Sequence, residues 1–143
     1  FIARSGYFQT IQITFGYFGD VYFAMKNYKQ AKFYYNKALT VSKLQNIKID
    51  IGNNQIRLAK LELLQKKSNI NQALELFASA EKILKSTNYN YGLSYLYFDL
   101  ANLYIKENNI KSAKEYLQTS ADLAKDLGLD ILLKKIKNLL AIT

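Results

Sequence analysis

The sequence contains no cysteine, no proline and no histidine. Without cysteine there can be no disulfide, thiol nucleophile or thiolate metal site, although that absence says little about compartment. Without histidine the commonest metal ligand and the usual general base are missing. The lack of proline suits a chain that is nearly all helix with tight turns, because no helix interior loses a backbone donor. No run of about 18 apolar residues marks a membrane span. No charged-then-apolar leader is present, and the chain opens on Phe1 rather than methionine. It therefore reads as a single cytoplasmic domain of 143 residues, cut from a longer protein, with Phe1 to Tyr7 as the tail of an earlier element.

Acidic residues are scarce in the first half. The net charge is +9; residues 1–72 carry 11 Lys/Arg against 3 Asp/Glu, and residues 73–143 carry 9 against 8. A basic half could meet nucleic acid or an acidic partner. A solvated lysine face explains it more simply. Arginine, the better reader of phosphate and base edges, occurs only at Arg4 and Arg57.

Half of the residues are hydrophobic, enough for a core, and they recur in step. Asn27-Tyr28-Lys29-Gln30-Ala31, Asn69-Ile70-Asn71-Gln72-Ala73 and Asn109-Ile110-Lys111-Ser112-Ala113 are versions of one phrase. Its asparagine is a favoured N-cap, and its alanine lets two helices touch. Lys43, Lys85 and Lys125 fall in a last helical turn, where a cation suits the helix dipole. Three residues later come Asn46, Asn88 and Gly128, types that tolerate the left-handed conformation ending a helix. Large apolar residues follow them: Ile47, Tyr89 and Leu129. Between these signals Ala31, Tyr35 and Ala38 match Ala73, Phe77 and Ala80, then Ala113, Leu117 and Ser120.

The opening helices carry Phe15-x2-Phe18-Gly19-x2-Tyr22 and Tyr97-x2-Leu100-Ala101-x2-Tyr104. Aromatic-x2-Leu-small-x2-Tyr, followed by Ala-x3-large, resembles a tetratricopeptide repeat, a helix–turn–helix unit. The period of 40 to 42 residues exceeds the usual ~34 and resembles the longer variant common in bacterial regulatory and signalling proteins. In the middle copy, counting back from Ala73 puts Arg57, Lys60, Leu61 and Leu64 at the signature positions. A shift of one or two residues brings Leu58, Ala59 or Leu63 inward instead.

The resemblance implies an all-α fold of about seven helices: antiparallel hairpins stacked in a right-handed superhelix. The repeats cover approximately 12–46, 50–88 and 91–128. A C-terminal helix over 129–142, apolar at Leu132, Leu133, Ile136 and Leu139, caps the array. A basic helix lying on a membrane surface is the lesser reading of that segment.

No catalytic constellation stands out, so no enzymatic activity and no cofactor are expected. Asp122, Asp126 and Asp130 step along a helix by fours, but such spacing seldom wraps an ion unaided. What the family implies is a protein or peptide partner bound on the concave face of the first helices. Carried over residue by residue, that face comprises Asp20, Phe23, Leu58, Glu62, Tyr95, Phe98, Asn102 and Ile105, with Gln65 beside them. A subclass that grips a C-terminal carboxylate needs a lysine where Phe98 stands. Two further classes remain: a regulatory or sensor domain of a bacterial transcription factor or signalling protein, and a nucleic-acid-binding module using the basic half. Most of the 20 aromatics fall on packing positions, which makes stacking on nucleic acid the weaker account.

Overall fold

The computed structural model describes residues 2–65 and 69–143, with side chains from Thr10 onward. Among these residues there are seven helices and no strand. They are α1 (Ile2–Ala24), α2 (Tyr28–Leu44), α3 (Lys48–Glu62), α4 (Ile70–Ser86), α5 (Asn90–Lys106), α6 (Ile110–Leu127) and α7 (Asp130–Ile142). Helix α1 runs unbroken from Ile2, through the stretch read as the tail of an earlier element and ten residues before the expected repeat start. Phe1, and residues 66–68 of the expected second repeat, lie outside the described residues.

The expected start and stop signals take the geometry that their chemistry favours. Asn27, Asn69 and Asn109 each accept from the backbone N–H three residues on, at 3.2–3.3 Å. Five turns close alike, on a left-handed residue with φ between 53° and 69°: Lys26, Asn46, Asn88, Asn108 and Gly128. At each, the following amide reaches back to a carbonyl five residues earlier, as from Asn27 to Tyr22 and from Leu129 to Ala124. This paired closure satisfies carbonyls that would otherwise be orphaned at a helix end. Helices α3, α5 and α7 open on Ile47, Tyr89 and Leu129, which make no side-chain cap hydrogen bond and are half-buried instead.

The chain divides into two compact units, Phe1–Ile83 and Leu84–Thr143. In the first, Ala31, Tyr35, Leu58 and Leu61 form a buried cluster joined by Tyr22, Phe23, Tyr28, Leu39 and Leu76. In the second, Ala101, Leu117, Ala121 and Ala124 pack with Leu132 and Ile136 of α7. That last helix therefore covers the α5–α6 pair, as a terminal helix of the array should.

Burial settles the register left open in the middle copy. Gln55, Leu58, Ala59 and Glu62 are all buried, and Ala59 is fully so. They hold the places of Phe15, Phe18, Gly19 and Tyr22 on α1 and of Tyr97, Leu100, Ala101 and Tyr104 on α5. The register counted back from Ala73 is thus corrected by two residues. Its cause is a longer connection: Asn27 follows Gly19 by eight positions and Asn109 follows Ala101 by eight, but Asn69 follows Ala59 by ten.

Gly19 is small because α2 leaves no room there. A Cβ at this position would lie 2.3 Å from two ring atoms of Tyr35, a ring that is only 3% exposed. Alanine in place of a mid-helix glycine ordinarily gains about 1 kcal/mol. Gly19→Ala is expected to do the reverse, since overpacking of this kind costs about 1–3 kcal/mol. Thermal unfolding followed by circular dichroism should show a lower Tm than the parent; an equal or higher Tm would mean that the ring moves aside.

Candidate functional site

In the first unit a chain of polar side chains links α1, α2 and α3. Asp20 on α1 accepts from the Tyr35 hydroxyl at 2.9 Å, and from Arg57 through Nε at 3.1 Å and Nη2 at 2.8 Å. Two parallel bonds to one carboxylate fix the guanidinium plane as well as its charge. The plane also lies 5.8 Å from the Tyr35 ring centre, within reach of a cation–π attraction. Gly16 permits this approach, because a Cβ there would meet Arg57 Nη1 at 3.0 Å. The Arg57 and Asp20 side chains remain 31% and 44% exposed, so their pairing contributes only about 1 kcal/mol. Its consequence lies in orientation.

The chain continues inward. Arg57 Nη1 donates to Asn54 Oδ1 at 3.1 Å, and Asn54 Nδ2 donates to the Ser42 hydroxyl at 3.1 Å. That hydroxyl lies 2.6 Å from the Ala38 carbonyl and 3.2 Å from Gln12 Oε1. Gln12 Nε2 donates to Asp50 at 2.6 Å. Gln12, Ser42 and Asn54 are each at most 3% exposed, a depth at which polar groups are tolerated only when hydrogen-bonded. Burial raises the Tyr35 hydroxyl far above its ordinary value, and its bond to Asp20 adds to the effect. Burial also raises the Asp50 carboxyl, against the opposing pull of Gln12 and Arg57.

The eight residues expected on the concave wall meet different fates. Asp20 is half-exposed and paired with Arg57. Phe23 is half-buried against the first core cluster, its ring 5.8 Å from that of Tyr28. Leu58 is a core residue at 5% exposure. Glu62, equally buried, accepts from Lys32 of α2 at 2.6 Å. The two-residue correction accounts for both: Leu58 and Glu62 occupy packing positions, and the offsets of Asp20 and Phe23 fall on Lys60 and Leu63. Gln65 is exposed beyond the end of α3.

In the second unit all four expected residues stand on α5, half-buried. Tyr95 and Phe98 pack on the cluster shared with α6 and α7. Tyr95 faces the Tyr91 ring at 5.2 Å; desolvation, then Tyr91, raises its hydroxyl above the usual phenol value. Asn102 Nδ2 donates to the Phe98 carbonyl at 3.0 Å, and its Oδ1 accepts from no group among the described residues. Positions 95, 98, 102 and 105 return to one helical face.

Arg57 is the residue that sequence reasoning misplaced. Counting back from Ala73 puts it at a signature position, whereas it pairs with Asp20 on the preceding opening helix. Opposite charges on successive opening helices were the available signal.

Two stacked-helix units with this hairpin geometry define a helical repeat protein. The tetratricopeptide repeat family model matches residues 18–43 and 94–127, one hairpin in each unit, which supports assignment to that family. No curated protein matches the chain.

The raised Asp50 carboxyl gives a pH dependence of definite sign. The folded state holds this proton more tightly than the unfolded state, so stability falls as pH rises above the ordinary carboxylate value of 3.8. Asp50→Asn retains an acceptor for Gln12 and removes the ionisation. It should raise Tm at pH 7, and the gain should fade by about pH 3 as wild-type Asp50 itself becomes neutral. Paired melts at the two pH values measure the difference.

Proposed function

We propose that this chain is a non-catalytic peptide-binding module that uses the outward faces of its opening helices. Tetratricopeptide repeats generally mediate protein–protein interaction, and no helix of the described residues is long and apolar enough to cross a membrane. The observation that carries the reading is the row on α5. Tyr95 and Phe98 offer partly exposed rings backed by a packed cluster, which hold apolar side chains without ordering cost. Asn102 follows one turn later, its amide anchored and its carbonyl oxygen open. An amide held in this way is suited to a peptide backbone N–H, and so contributes similarly for many sequences. Ile105 closes the apolar edge.

In the first unit the equivalent position of α1 is Asp20, which is already engaged by Arg57. A ligand there meets a neutral, oriented pair whose remaining donors and acceptors select polar groups. The α5 row thus supplies anchoring, and the Asp20–Arg57 pair discriminates among polar groups in its own unit.

Peptides selected from a displayed random library on the immobilised protein test this. Asn102→Ala should leave Tm nearly unchanged, because only a bond to its own helix is lost. It should weaken the selected peptides by about fivefold, the worth of one hydrogen bond. Selected peptides that bind Asn102→Ala and Tyr95→Ala as well as the parent would sink the α5 assignment.

A further inference from the structure

A second site lies on the α1–α2 hairpin, away from the opening-helix row. A hollow of about 410 Å³ is lined by Phe15, Phe33, Asn36, Lys37, Thr40 and Val41. Neither Asp20 nor Arg57 is among its walls, and neither is any residue of α3. This size accommodates one large side chain with its neighbours. The Phe33 ring is half exposed, and Phe15 and Val41 close the apolar wall.

Its polar equipment is specific. The Lys37 ammonium sits 4.6 Å from the centre of the Phe33 ring and 5.4 Å from that of Phe15. It pairs with no carboxylate among the described residues. Thr40 donates its hydroxyl proton to the Asn36 carbonyl at 2.9 Å, which leaves its oxygen as an acceptor. The Asn36 side chain is exposed and takes no partner among the described residues. Helix α2 contains no acidic residue at all. The one acid of α1, Asp20, is held by Tyr35 and Arg57. Nothing on either helix therefore neutralises Lys37, and the aromatic rings beneath it supply only a quadrupole.

We infer that this hollow binds an acidic peptide segment in which a bulky apolar side chain sits beside a carboxylate. The apolar group enters between Phe15, Phe33 and Val41, the carboxylate takes Lys37, and Asn36 meets the peptide backbone. Charge complementarity selects the occupant: one uncompensated cation over an apolar wall matches one anion attached to an apolar body. Single-stranded nucleic acid fits less well, because tracking a backbone needs a row of cations. Only one lysine lines this hollow.

The protein has no tryptophan, so indole fluorescence reports a tryptophan-bearing probe alone. The probes are a blocked tripeptide with tryptophan between two aspartates and its counterpart with two asparagines, titrated with the full chain. The acidic peptide should show a blue-shifted, salt-sensitive emission change and bind about fivefold more tightly than the neutral one, the range of a partly exposed ion pair. Lys37→Gln, a substitution at an exposed residue without a carboxylate partner, should abolish that preference. Phe33→Ala should weaken both peptides, and Asn102→Ala should change neither, which separates this site from the α5 row. Equal binding of the two peptides, no emission change for either, or an unaltered preference in Lys37→Gln would overturn the inference. Lys37-dependent displacement by a single-stranded oligonucleotide would assign the surface to nucleic acid and overturn it as well.

Discussion

The first unit depends on how closely α1 and α2 approach at Gly19. Only a hydrogen atom fits against the Tyr35 ring at that point, and the buried ring is then fixed in direction. Its hydroxyl reaches Asp20, so the carboxylate is set at the surface of α1, where Arg57 of α3 finds it. A steric fact at one backbone position thereby orients a charged pair that joins two opening helices. Removing the pair would cost little free energy. Removing the close approach would misplace every group in the sequence from Tyr35 to Asn54.

The middle repeat performs the same packing with different chemistry. Where α1 and α5 use aromatic residues, α3 uses Gln55 and Glu62, both buried. Each needs a partner from a neighbouring helix: Gln55 donates to Ser79 of α4 at 3.0 Å, and Glu62 accepts from Lys32 of α2. The Gln55 carbonyl oxygen still finds no partner among the described residues, a cost that an aromatic ring would not carry. Polar partners are directional, whereas ring packing is not. Such substitutions tie α3 to particular residues of α2 and α4 while erasing the pattern by which a repeat is recognised. The family match accordingly falls on the first and third hairpins.

What the sequence made legible follows the same division. Caps and turns are local, so one asparagine or glycine reveals them, and all three predicted stop residues adopt positive φ. The terminal helix was legible from period alone, and Leu132 and Ile136 are buried where the period places them. Leu58 and Glu62 were misread because two additional residues in a connection shift a count made from the far helix. No local signal records which side of α3 such an insertion lies on. The polar chain from Asp50 to Asp20 was not legible either: Gln12, Ser42, Asn54 and Arg57 look like solvated residues until three helices bring them together. On α5, Tyr95, Phe98, Asn102 and Ile105 share a face because their spacing follows the helical period.

The same contacts decide how the charge of the first half acts. Residues 1–72 hold three acids, and each has a specific partner among the described residues. Asp20 is held by Arg57 and Tyr35, Asp50 takes the Gln12 amide, and Glu62 takes Lys32. Among the described residues Arg57 and Lys32 are ion-paired in this way, and Lys26, Lys29, Lys37 and Lys43 stand exposed. A positive field of this kind raises the encounter rate with acidic partners and decays over about 10 Å at 0.1 M salt. Specificity has to come from shorter range. On the α1–α2 hairpin it comes from a lysine held over two rings, where an anion that also carries an apolar group satisfies both features together.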